Sequence, residues 1–238
     1  MELSKRLQAV ADLLCDSNSI EDECVLADVG TDHGYIPIYL VQHGKCKKAY
    51  AMDVNIGPLA RAKAHIEDYL LQDRIETRLS DGVSGLQVGE CDAVIVAGMG
   101  GALTVKIMTE GEDVFRSLKT FVLQPQSELP KVRRFLLENG YRIVAEDMVL
   151  EDGKFYPMMR VTVGEDGMYR PVEYLYGRHL LKDKNLVLKQ FLERELRIKT
   201  EIWERLMAAE GAQIATRRQE LEAELLEIKE ALLCFAEI

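Results

Sequence analysis

Apolar positions change rhythm along the chain, and the change outlines the fold. Leu3, Leu7, Val10 and Leu14 recur at intervals of three and four, the signature of a short amphipathic opening helix. From Val25 the rhythm becomes short apolar runs separated by helical stretches. Val25–Val29 is a strand ending at Gly30, and a helix follows Gly34, with Pro37 tolerated in its first turn. Ala49–Val54 is a second strand. The helix from Pro58 to Leu71 then places Leu59, Ala62, His65, Ile66 and Tyr69 on one broad face. Ile75–Leu79, Asp92–Ala97 and Phe121–Leu123 are the next three strands. Helices follow from Ala102 and over Leu129–Asn139.

Strands separated by helices of this length imply crossover units and a buried parallel sheet. The alternation then breaks. Tyr141–Leu150 and Phe155–Val163 are adjacent strand-like segments joined through Glu151-Asp152-Gly153-Lys154, which predicts an antiparallel hairpin. After Gly164 the composition turns helical and charged. Leu188 to Met207 and Ile214 to Phe235 are two helices broken at Gly211. In the second, Leu221, Leu225, Ile228, Leu232 and Phe235 form a heptad seam, best buried by an antiparallel helix pair. The division expected is a sheet domain over 1–164 and a helical hairpin domain over 165–238.

Composition narrows the picture. With 47% hydrophobic and 29% charged residues in 238, no membrane-spanning apolar run and no leader pattern, a soluble cytoplasmic protein with no membrane partner is expected. The net charge of -10 argues against non-specific nucleic-acid binding but permits local basic patches. Lys5 with Arg6, Lys45 with Lys47 and Lys48, and Lys131 with Arg133 and Arg134 are such clusters, or else solvated charged faces. Cys15, Cys24, Cys46, Cys91 and Cys234 have neither zinc nor redox spacing and read as reduced and structural. No metal cluster is suggested, and the oligomeric state stays open.

Candidate chemistry lies where strands end. Asp28-Val29-Gly30-Thr31-Asp32-His33-Gly34 follows the first strand and opens the first helix. A glycine there lets backbone approach a ligand, and the helix N-terminus offers free N–H groups. Asp53 closes the second strand, where a carboxylate can accept from both ribose hydroxyls of an adenosine or else cap the next helix. Asp81-Gly82 ends the third and can meet an adenine amine. These carboxylates fall at the carboxyl ends of three successive strands, where open α/β sheets bind ligands.

Asp32-His33-Gly34-Tyr35-Ile36-Pro37, Ala97-Gly98-Met99-Gly100-Gly101 and Leu123-Gln124-Pro125-Gln126 resemble the bacterial tRNA (adenine-22-N1)-methyltransferase family, TrmK. The similarity runs in order over roughly residues 2 to 163. It implies an α/β fold, a class I methyltransferase Rossmann-like sheet of parallel strands ending in an antiparallel hairpin, with a C-terminal α-helical coiled-coil hairpin. It also implies S-adenosyl-L-methionine as cofactor, tRNA as partner and methyl transfer to N1 of an adenine in the D-arm. Asp28, Gly30, Asp53, Asp81, Gly82, Gly98 and Met99 are then the candidate cofactor-binding residues, although Met99 also suits plain filling.

Asp32, His33, Tyr35 and Gln124 are the candidate catalytic residues. Positive charge moves from the sulfonium to the adenine ring during the reaction, and a carboxylate such as Asp32 beside the ring would stabilise it. Asp32 can instead cap the first helix. His33 and Tyr35 can hydrogen-bond to or stack on an extruded base, or Tyr35 can simply pack. Gln124 can meet a base edge or only terminate its strand. A protein or small-molecule methyltransferase, and a non-catalytic S-adenosylmethionine-binding adaptor, carry the same cofactor signature.

Overall fold

The computed structural model describes residues 1–15, 23–207 and 211–236, and two compact units divide the chain, Met1–Gly167 and Met168–Ile238. In the first, α1 (Lys5–Cys15) precedes β1 (Val25–Val29), α2 (Tyr35–Gln42), β2 (Lys48–Asp53), α3 (Ile56–Asp68), β3 (Ile75–Leu79) and β4 (Ala93–Met99). Then come α4 (Gly101–Glu110), α5 (Glu112–Ser117), β5 (Thr120–Pro125), α6 (Leu129–Glu138), β6 (Tyr141–Glu151) and β7 (Lys154–Val163). The seven strands form one sheet in the order β3-β2-β1-β4-β5-β7-β6. β1 to β5 are mutually parallel, and β7 joins them antiparallel to both β5 and β6.

Burial explains the apolar runs. Leu26 to Val29, Ala49 to Asp53, Ala93 to Val96 and all of β5 are buried, as a parallel sheet covered on both faces requires. The hairpin turns at Asp152 (φ 48°) and Gly153 (φ 73°), the paired left-handed conformations of a two-residue turn matched to strand twist. Chain order reverses at β1, which lies between β2 and β4. That switch point opens a crevice at the strands' carboxyl ends.

Several sequence expectations need correction. β4 does not stop at Ala97 but continues to Met99 through a bulge, because Ala97 faces Gln124 while Met99 faces Pro125. The α3 helix starts earlier, at Ile56, and ends at Asp68, so Tyr69 and Leu71 lie beyond it. Arg133 is no part of a solvated basic cluster. Its side chain is 1% exposed and pairs at 2.9 Å with Glu146, itself 0% exposed. Burying two charges is tolerable only when each neutralises the other.

The second unit contains α7 (Pro171–Tyr176), α8 (Arg178–Lys182), α9 (Leu186–Met207) and α10 (Ala212–Leu233). Contacts between Lys199 and Glu224, Trp203 and Glu222, and Met207 and Arg218 run in opposite chain directions, so α9 and α10 are antiparallel. Leu221, Leu225 and Ile228 are buried and Leu232 is half-buried, whereas Phe235 lies past the end of α10. Among the described residues no helix is long and apolar enough to cross a membrane.

Candidate active site

Backbone geometry first fixes the turn after β1. Gly30 and Thr31 both donate N–H to the Met52 carbonyl, at 2.8 and 2.9 Å, which straps the turn to the end of β2. Gly30 has φ 75°, and a Cβ there would lie 2.4 Å from the Met99 methyl, so the turn rests directly on the residue that ends β4. The first and third sequence motifs are therefore packed against the second. Gln124 Oε1 accepts from Gly98 N at 3.1 Å, and Gln126 N donates to the Met99 carbonyl at 2.8 Å. Ser127 and Glu128 side chains accept from Gly101 and Ala102 N–H, closing the N-terminus of α4 with protein groups. A Cβ at Gly101 would meet the Ser127 carbonyl at 2.4 Å, which explains the glycine.

A hollow of about 420 Å³ opens over this assembly. It is lined by Asp28, Gly30, Thr31, Asp32, His33 and Tyr35 from the first turn, by Ala97 and Gly98 from β4, by Gln126, and by Arg6 and Leu7 from α1. Asp28 and Asp53 are buried at the ends of adjacent strands. Burial pushes the Asp28 carboxyl up to about 6, aided by the Asp53 charge and opposed by the Thr31 hydroxyl, which donates at 2.7 Å, and by Arg6. Asp53 Oδ1 accepts from Asn55 N at 2.8 Å, and Val54 and Ile56 beside it are exposed apolar groups.

Asp32 does not cap α2, whose cap position is Gly34 with no side-chain bond. It holds φ 48° instead, its carboxylate 54% exposed, with Arg61 at 2.6 Å and His33 Nε2 at 3.5 Å. The rings of His33, Tyr35 and His65 form a near-parallel cluster. Centroids are 5.1 to 5.5 Å apart and planes lie within 19°. His65 Nδ1 lies 2.9 Å from the His33 carbonyl, which can only accept, so this nitrogen carries the proton. The His33 Nδ1 is buried without a partner among the described residues.

Gln124 is fully buried behind the hollow. Its Oε1 also accepts from Arg6 Nη1 at 3.1 Å, while its Nε2 has no partner among the described residues. Asp81 and Gly82 fall elsewhere, on a neighbouring hollow of about 290 Å³ with Val83, Ser84 and Ile107, where Asp81 approaches Lys106 at 3.7 Å. The structure thus gathers Asp28, Gly30, Asp32, His33, Tyr35 and Gly98 around one space, with Met99 beneath, Gln124 behind, and Asp53 beside Asp28. Arg6, Gln126 and His65 are additions that sequence reasoning missed. Arg6 was visible only as half of a basic pair, and His65 only as one residue of a helix face.

Comparisons agree with this architecture. A family model described as a methyltransferase domain matches residues 3–159. The tRNA (adenine(22)-N(1))-methyltransferase of Bacillus subtilis (strain 168) is 33% identical over 238 residues, covering 98% of each chain. The crystal structure of the B. subtilis m1A22 tRNA methyltransferase TrmK superposes with a TM-score of 0.83 at 33% identity, covering 97% of this chain and 99% of that one. The structure of M. capricolum TrmK in complex with the cofactor product S-adenosyl-homocysteine gives 0.84 at 26% identity, over 99% and 100% of the two chains. Sequence identity of 33% along 98% of both chains and the methyltransferase-domain match over residues 3–159 lead to one conclusion: this chain belongs to the tRNA (adenine(22)-N(1))-methyltransferase family.

Proposed function

We propose that this chain methylates N1 of adenine 22 in tRNA, using S-adenosylmethionine. The observation that carries the reading is the buried carboxylate Asp28 at the end of β1, opening on a hollow walled by His33 and Tyr35, with the buried carboxylate Asp53 at the end of the adjacent strand β2. S-adenosylmethionine supplies an activated methyl group on a cationic sulfonium, so no metal is needed.

The residues present fit that cofactor. Asp28 is a buried carboxylate with a hydroxyl donor but no ion pair among the described residues, a setting that favours a cationic group such as an ammonium. Asp53 keeps carboxylate oxygen available for ribose hydroxyls, and exposed Val54 and Ile56 offer apolar surface to an adenine beside it. Asp81 and Gly82 border a separate hollow, and the proposal assigns them to the adenine end of the cofactor. Gly30 and Gly98 line the first hollow, and the Met99 methyl packs against Gly30.

Toward the substrate, Tyr35 and His33 offer ring faces on which an extruded adenine can stack. Asp32 carries the charge that complements the cationic ring formed as N1 gains its methyl, and Arg61 and His33 hold it in place. Gln124 holds Arg6 and Gly98 through Oε1, leaving Nε2 to donate to a base edge. The Met168–Ile238 unit is proposed to form a separate helical domain, and the protein to act in the cytoplasm, where tRNA is found.

The decisive experiment is incubation with labelled S-adenosylmethionine and unmodified tRNA, followed by nucleoside analysis. N1-methyladenosine is expected, and its loss on replacing adenine 22 with guanine fixes the position. Label in protein or small molecules but not in tRNA would reject the proposal.

A further inference from the structure

A second hollow, of about 520 Å³, adjoins the first. Its walls are the chain entering α1 (Met1 to Ser4 and Leu7), Tyr35 at the start of α2, and His65, Asp68 and Tyr69 at the end of α3. Tyr35 and Leu7 line both spaces. The ring cluster makes the connection continuous: His33 faces the first hollow, His65 the second, and Tyr35 both, with all three planes within 19° of one another. Tyr69 adds a fourth ring, 38% exposed.

The chemistry of this lining selects one class of occupant. No Lys or Arg lines the second hollow, so it is unsuited to a phosphate. Its two acidic side chains, Glu2 and Asp68, are carboxylates, which accept from the exocyclic amines of bases. Tyrosine and histidine faces with leucine and methionine between them suit a flat, uncharged, amphipathic ring. A single-stranded nucleic acid offers such rings in succession, and sequence-tolerant stacking on aromatic side chains is how proteins commonly hold them.

We propose that the second hollow receives the base adjacent to the target adenine, unstacked with it and held on Tyr69 and His65. This rests on the proposed tRNA methylation. Tyr35 then separates two bases, one presented for reaction and one that keeps the strand splayed. The second hollow contributes to substrate binding, and the methyl-donor site is untouched by it.

The test measures methylation kinetics on tRNA with an abasic nucleotide immediately 5′ or 3′ of adenine 22, using the unaltered protein, Tyr69→Ala and Tyr69→Phe. One of the two abasic positions is expected to raise the KM for tRNA about tenfold with the unaltered protein, while cofactor affinity holds. Tyr69→Ala should raise KM similarly on intact tRNA, add little on the abasic tRNA, and be rescued by Tyr69→Phe. A KM indifferent to both abasic positions overturns the inference, as do effects of Tyr69→Ala and the abasic site that multiply independently. The abasic measurement uses unaltered protein, so it decides the matter even where Tyr69→Ala fails to fold. Intact tRNA left unmethylated overturns the proposed activity itself, whereas intact tRNA methylated with an indifferent KM overturns this inference alone.

Discussion

Arg6, on the wall of the first hollow, donates from Nη1 to Gln124 Oε1 at 3.1 Å, joining residues 118 positions apart. The same oxygen accepts from Gly98 N, so one amide fixes both the opening helix and the bulge that ends β4. Gln124→Glu keeps an acceptor for both, replaces the donor nitrogen with a carboxylate oxygen, and adds a buried charge that Arg6 beside it neutralises. Thermal stability and S-adenosylmethionine affinity should therefore hold while kcat/KM for tRNA falls about tenfold, a loss typical of one hydrogen bond to a substrate. Unchanged kcat/KM would confine Gln124 to positioning Arg6.

Asp28 gives a pH dependence with a definite sign. Burial lifts its carboxyl from 3.8 to about 6, so folding disfavours the ionised form. Its contribution to stability is present below the ordinary carboxylate range and is lost as pH rises through about 6. Asp28→Asn should raise the stability of the ligand-free protein near neutral pH by on the order of 2–3 kcal/mol, with the gain vanishing near pH 4. The same change should sharply weaken S-adenosylmethionine binding. In the unaltered protein, calorimetry should show affinity falling as pH drops through about 6, with proton release on binding there.

Asp53 and Asp32 should separate binding from chemistry. Asp53→Ala removes a ribose acceptor and should cost about 1–3 kcal/mol of cofactor affinity. Asp32→Asn retains the shape of a side chain that caps no helix, and weakens its pairing with Arg61. Single-turnover rate should fall much more than cofactor affinity, because the lost interaction strengthens only as the adenine becomes cationic. Parallel losses in both would place Asp32 in the donor site.

Arg133 and Glu146 form a pair whose removal should be costly only one side at a time. Arg133→Met strands a buried carboxylate and should destabilise by about 3–5 kcal/mol in urea unfolding. Adding Glu146→Leu should recover most of that loss. Additive losses would mean that the two side chains are not coupled.

The sequence by itself determined the sheet, because a strand buried on both faces must be apolar throughout, and that run is visible wherever it occurs. It determined the hairpin too, since Asp152 and Gly153 adopt left-handed conformations at little cost. Asp28 and Asp53 were legible for the same reason: a carboxylate that closes an apolar strand stands out, and strand ends converge in a parallel sheet. Tertiary structure alone decided which other residues joined them. Arg6 and His65 lie on helices whose periodicity says only which face is apolar, Tyr69 lies just past the end of α3, and their meeting around Tyr35 depends on how α1 and α3 pack on the sheet. Asp81 follows its strand as expected, yet its own hollow is separate from the one bordered by Asp28. Arg133 shows the limit most directly: charge in a sequence suggests solvent, and only the folded chain reveals that Glu146 neutralises it.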